Sequence, residues 1–192
     1  MLLHVQLQTP IEEWLSTFNV QKNSINILDI KQDKIDVRLL IEFKGELPKE
    51  FQNSFTRVDK NVYLGTVRVN SRISTILAKY TIIQGYVINN SLVWVLVLEG
   101  YPELRRVLRE FVENKIDVKV IKVVKVRSKS IVTARQEQIL RIALEAGYYD
   151  YPRKVTLKKL AEKLNISLST LDEILRRAEK NIIESYLRDK GL

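Results

Sequence analysis

Residues 156–178 read TLKKLAEKLNISLSTLDEILRRA, and their spacing fixes the architecture of the C-terminal part. Leu157, Leu160, Ala161 and Leu164 recur at the 3.6-residue period of a short helix, which Thr156 can cap. Leu171, Ile174, Leu175, Ala178 and Ile182 repeat the pattern in a longer helix that Ser167 can open. Between them lies Asn165-Ile166-Ser167. Asn165 stands where a tight turn demands a left-handed residue, a conformation that Gly and then Asn adopt most readily. Ala161 is small where two helices must approach, and Ile166 anchors the turn in the core. Four coordinated positions therefore predict a helix-turn-helix rather than an ordinary helical hairpin.

Working outward, Thr133 predicts the cap of an earlier helix through Ile139, Leu140, Ala143 and Leu144, which ends near Gly147. The aromatic loop Tyr148-Tyr149-Asp150-Tyr151-Pro152 joins it to the helix-turn-helix, and its tyrosines are expected to pack on the small domain. Arg127-Ser128-Lys129-Ser130 is short, polar and basic. It sets the expected boundary between domains 1–128 and 129–192.

Ahead of that boundary the period changes. Leu3, Val5 and Leu7 alternate as on a half-buried strand, and Pro10 opens a short amphipathic helix through Trp14, Leu15 and Phe18. Ile25, Ile27 and Ile30 mark a second strand and Ile35 to Ile41 a third, and Pro48 to Phe55 reads as a short helix. From about residue 62 the order is strand, helix, strand, strand, helix, strand, with Asn89-Asn90 as a hairpin turn and a bulge expected in the last strand. This βαββαβ order predicts an α+β chain with a ferredoxin-like sandwich. The first 60 residues read as a degenerate copy, so the sandwich is either single or tandem.

Composition removes whole classes of chemistry. The 192 residues include no cysteine and one histidine, which excludes disulfides, thiolate metal sites and multi-histidine centres. His4, alone on its strand, reads as structural, and Glu12-Glu13 as partners of a helix dipole. The six glycines are isolated, so no phosphate-cradling loop is present. No metal, cofactor or catalytic residue is expected. The most apolar stretch, Leu92–Leu98, is far short of the roughly 20 residues of a membrane span. With no signal peptide visible, a cytoplasmic protein is expected. The net charge of +9 favours a polyanionic partner. Residues 131–192 hold 12 basic and 9 acidic side chains, so the arrangement of charge matters more than its amount.

Residues 131–185 also resemble the bacterio-opsin activator-type helix-turn-helix family of archaeal transcription regulators. The likeness rests on Thr133 with Arg135-Gln136, Ala146-Gly147-Tyr148, Tyr151-Pro152-Arg153 and Leu160-Ala161. Ser167, Ser169-Thr170-Leu171 and Leu175-Arg176-Arg177-Ala178-Glu179 complete it. The resemblance implies a long helix in the major groove, in the manner of sigma-factor region four, and a sensor or interaction domain ahead of it.

Helix geometry assigns the contacts. With Leu171, Leu175 and Ala178 inward, Leu168, Ser169, Asp172, Glu173 and Arg176 are placed to reach base edges. Arg135, Gln136, Arg153, Lys154, Thr156, Thr170 and Arg177 are placed for phosphates, which position without specifying. The expected partner is double-stranded DNA, read by a homodimer joined through residues 1–130, with a small effector in that domain and no membrane contact. Ile182, Ile183, Tyr186 and Leu187 offer a rival dimer route. The competing functions are a protein-interaction module of the transcription machinery and an α/β enzyme with a DNA-targeting tail.

Overall fold

A computed structural model describes residues 2–126 and 131–189. Among these residues eight strands make one sheet: β1 (Leu2–Pro10), β2 (Ser24–Asp33), β3 (Asp36–Lys44), β4 (Phe55–Asp59), β5 (Val62–Val69), β6 (Thr81–Ile88), β7 (Ser91–Leu98) and β8 (Lys119–Val126). Their order is β4-β5-β3-β2-β6-β7-β1-β8, and every pair is antiparallel. Read from its two ends, the order pairs each strand with the one four further along the chain. The sheet thus holds two copies of one strand pattern, with β2 and β6 meeting at its centre. Their first strands have changed places: β1 lies between β7 and β8, and β5 between β3 and β4.

The helices of the two copies differ. In the second copy α1 (Arg72–Leu77) and α2 (Tyr101–Glu113) cross over, whereas the first uses 3-10 turns at Glu13–Phe18 and Lys49–Phe51. The βαββαβ order expected from residue 62 is present as β5-α1-β6-β7-α2-β8, but its strands interleave with those of the first copy instead of closing a separate sandwich. Strand β4 falls within and beyond a stretch read as helix. Its short pattern, with only Phe55 buried, gave a weak period-2 signal.

One face of the sheet carries these crossovers. Leu3, Val5, Leu7, Leu39, Ile41, Trp94, Leu96 and Leu98 bury there against Leu15, Phe18, Ile73, Leu104, Val107 and Phe111. Along α2 the contact is carried by Leu104, Val107 and Phe111, while Val112 is 69% exposed. The indole of Trp94 donates to Thr9 Oγ1 at 3.0 Å, so its one polar atom is satisfied inside.

The other face carries the C-terminal helices α3 (Ala134–Glu145), α4 (Leu157–Leu164) and α5 (Leu168–Asp189). Leu28, Leu40 and Leu64 pack against Ile139, Ile142, Ala143, Leu160 and Leu164 in one core. A bulge makes this possible. Register shifts between Ile27 and Asp29, so Leu28 and Asp29 both turn to the C-terminal helices while Ile27 and Ile30 stay in the first core. Strand β6 carries a shift at the matching place, between Ile82 and Gln84. The expected boundary at Arg127–Ser130 lies outside the described residues. Beyond it the C-terminal part is docked on the sheet and shares its core.

Candidate nucleic-acid interface

The turn forms as its residues require. Asn165 ends α4 with φ 53° and ψ 47°, the left-handed conformation. The Ile166 amide donates back to Ala161 O at 3.1 Å, which closes the helix end. Thr156 caps the start of α4 by accepting from the Lys159 amide at 3.3 Å. Ser167 accepts from the Thr170 amide at 3.0 Å and opens α5. Leu171, Leu175 and Ala178 are buried, which fixes the rotation of α5. Ile182, expected to extend this buried stripe, is 43% exposed, because α5 runs past the end of its core there.

That rotation leaves Leu168, Ser169, Thr170, Glu173, Arg176 and Arg177 exposed and Asp172 half-buried. The charges on this face are already paired. Arg176 Nε lies 2.8 Å from Asp172 Oδ2, and Arg177 Nη2 lies 2.6 Å from Glu173 Oε1. Each acid holds the guanidinium one turn on, along the face that base edges would meet.

The residues expected at phosphates divide. Thr156, Thr170 and Arg153 sit exposed beside the start of α4 and α5, with the Arg153 guanidinium over the Tyr148 ring at 4.7 Å. Three others are occupied within the protein. Arg135 bonds the Gln138 side chain and lies 3.7 Å from the buried Asp29. Gln136 closes a capping box with Thr133, accepting from its amide at 2.9 Å. Lys154 bridges Asp59 of β4 at 2.7 Å and Asp150 at 3.0 Å, and these bonds hold its ammonium pKa above the ordinary value. Lys158 and Lys159, exposed on α4, were not singled out from the sequence, because a solvated helix face and a phosphate-facing one look alike there.

The tyrosines divide too. Tyr148 packs into the core, and Tyr149 OH donates to Glu179 Oε1 at 2.5 Å, tying the loop to α5. Burial, and then that bond, push the Tyr149 phenol pKa up. Tyr151 is fully exposed instead of packed, since it precedes Pro152 at the outer edge of the loop. Leu144 is likewise 61% exposed, because Ile142, Ala143 and Ala146 form the inward face of α3. Gly147, at φ +73°, leaves that helix in a conformation other residues rarely adopt, and a Cβ there would lie 2.8 Å from the Lys154 side chain.

The site is held from below by the sheet. Arg38 donates to Lys163 O at 2.6 Å and Leu164 O at 3.0 Å, and Lys31 donates to Leu164 O at 2.9 Å. Two cations from β2 and β3 thereby cap the carboxyl end of α4, where the helix dipole favours positive charge. Gln138 Nε2 donates to Asp29 Oδ1 at 3.0 Å and to Ile82 O at 2.7 Å, both buried. Arg141 reaches Gln84 at 2.9 Å, and His4 lies 3.3 Å from Glu137.

Comparison with known proteins agrees with this geometry. Residues 132–184 match the family model described as an HTH DNA binding domain. This segment is a helix-turn-helix domain of the bacterio-opsin activator type. A putative transcriptional regulator of Haloferax volcanii is 44% identical over 57 residues, 30% of this chain and 10% of the relative. Transcriptional regulator NarO of the same organism is 36% identical over 55 residues, 29% of this chain and 26% of its own. Its dimethyl sulfoxide reductase transcriptional activator is 42% identical over 53 residues, 28% of this chain and 25% of its own. The chain thus spans only about a quarter or less of the length of the curated relatives it matches. No solved structure matches the chain.

Proposed function

We propose that the protein is a sequence-specific double-stranded-DNA-binding transcription regulator that lays the start of α5 in the major groove. The observation that carries this is the exposed face of Leu168, Ser169, Asp172, Glu173 and Arg176 on a helix whose opposite side is locked in the core. Arg176, steered by Asp172, reads guanine, and Leu168 meets a thymine methyl. Thr156, Arg153, Thr170 and Arg177, joined by Lys158 and Lys159, take phosphates around the amino end of α4. Arg135, Gln136 and Lys154 belong to the framework instead. A small effector enters the 490 Å³ cleft on the crossover face, lined by Glu12, Trp14, Asn70, Arg72, Ile73 and Ile116.

The test is selection of random duplexes by the full chain, followed by titration in salt. Neutralising about four to six phosphates gives a slope of log affinity against log salt of roughly −3 to −6 per protomer. Arg176→Ala should cost about 1–3 kcal/mol and relax one base pair of the selected site. Salt-independent binding, or an unchanged base preference in Arg176→Ala, overturns the reading.

A further inference from the structure

The two arginines of the DNA-facing segment are each held by an acid one turn earlier, but through different nitrogens. Arg176 donates from Nε to Asp172 Oδ2 at 2.8 Å. Its two terminal nitrogens make no other bond among the described residues, so the end-on fork that matches guanine O6 and N7 is whole. Arg177 is held instead through its terminal Nη2, 2.6 Å from Glu173 Oε1. That contact occupies half of the fork and leaves a cation suited to single phosphate oxygens.

Asp172 uses only half of its carboxylate. Oδ2 meets Arg176, while Oδ1 has no donor among the described residues, and the side chain is 42% exposed. A carboxylate turned toward a polyanion is repelled by it, and an exposed i,i+4 pair adds little stability in return. In the major groove one kind of base edge offsets that repulsion: an exocyclic amino group, cytosine N4 or adenine N6. Guanine O6 and thymine O4 turn lone pairs toward the carboxylate and are rejected.

We infer that Asp172 and Arg176 read two neighbouring base pairs as one unit, Arg176 taking a guanine and Asp172 an amino base, adenine or cytosine, on the facing strand of the next pair. The four residues between them rise about 6 Å along α5 at 1.5 Å per residue. The ion pair draws the carboxylate back toward the guanidinium, which brings the offset of the two groups down to about one base-pair step of roughly 3.4 Å. Every base pair shows one amino and one keto group in the major groove. Asp172 therefore fixes which strand carries the amino base, and leaves open whether the pair is A·T or G·C.

This inference rests on the DNA-reading role proposed above. Random duplexes are selected with the full chain and with each variant, and the base profiles of the bound sites are compared. The unaltered chain is expected to select a guanine beside a position shared by adenine and cytosine and depleted of guanine and thymine, on the order of tenfold. Asp172→Asn keeps an oxygen for Arg176 Nε and turns its amide N–H groups to the base edge, so it should keep the guanine and lose the amino preference. Asp172→Ala releases Arg176 as well, and should lose the amino preference and weaken the choice of guanine about tenfold. Glu184→Gln breaks another exposed i,i+4 pair of α5, with Lys180, and should change neither position. All three variants should unfold at nearly the urea concentration of the unaltered chain. A guanine with no amino preference beside it, an amino preference that survives in Asp172→Asn, or an equal change of profile in Glu184→Gln overturns the two-pair unit alone. A chain that selects no sequence, or an Arg176→Ala variant that still selects the guanine, overturns the DNA-reading role and this inference with it.

Discussion

Replacing Arg38 by Met keeps the aliphatic stem and removes the guanidinium that caps α4 from the sheet. Two hydrogen bonds are lost, to Lys163 O at 2.6 Å and Leu164 O at 3.0 Å. Leu164 O keeps Lys31 at 2.9 Å, so only the Lys163 carbonyl is orphaned. Hydrogen bonds from a charged donor contribute about 1.5–3 kcal/mol net, and a cation at a helix carboxyl end roughly 0.3–1 kcal/mol more. Burial works against this, since it pushes the Arg38 pKa down and so disfavours the charged form. The expected loss is about 2 kcal/mol of global stability. Urea unfolding followed by fluorescence reads the sheet through Trp14 and Trp94, and far-UV dichroism reads the helices as well. Both transitions should shift together to lower urea, and amide exchange at Asn165 and Ile166 should quicken. A change within about 0.5 kcal/mol would refute the capping role. A helical transition that moves while fluorescence stays put would refute the sharing of one core by sheet and helix-turn-helix.

Two further outcomes follow from the same framework. Tyr149→Phe removes the bond to Glu179 and should lower stability by about 1 kcal/mol at neutral pH, measured by urea midpoint; no change would show that the loop is held by Tyr148 alone. Asp29 has its carboxyl pKa pushed up from 3.8 by burial, with Arg135, Lys31 and Arg38 opposing. A raised folded pKa adds stability that is complete below 3.8 and lost as pH climbs through the folded value. Asp29→Asn keeps the acceptor for Gln138, so the stability of the unaltered chain relative to this variant should fall as pH rises from 3.8. A difference that grows with pH would mean that the cations outweigh burial.

Much of the helix-turn-helix could be read from the chain because its determinants are local. Asn165 must be left-handed, Ala161 must be small and Ser167 must cap, and all three lie within seven residues. The fate of Arg135 and Lys154 was not local. Their partners Asp29 and Asp59 lie about a hundred residues earlier, and helical period tells which side is buried but not against what. The exchange of β1 and β5 was hidden for a similar reason, since alternation assigns faces and not neighbours. Two signals were nonetheless present. The break in spacing from Ile25 and Ile27 to Ile30 is the trace of the bulge that turns Leu28 to the helices. The unbroken apolar run Leu92–Leu98 is what a strand covered on both faces looks like, which points to a second layer rather than to an uncovered edge.

That second layer constrains how a signal on the crossover face could reach the DNA. The link through Gln138 joins α3 to β2 and β6 at once, by way of Asp29 and the Ile82 carbonyl, and all of it is buried. Swinging the reader away from the sheet would strand these groups and expose Leu28, Leu40 and Leu64, at a cost of several kcal/mol. A small effector has no such differential affinity to spare unless it binds the two states very unequally. Smaller shifts are cheaper. β2 and β6 meet along only Asn26–Tyr86 and Ile27–Gly85, beside both bulges, so the centre of the sheet is its most weakly paired seam. A change of twist there would tilt α4 through Lys31 and Arg38 without breaking either cap. A signal on the crossover face would therefore reach the helix-turn-helix as a tilt of α4 and α5 and not as their release from the sheet.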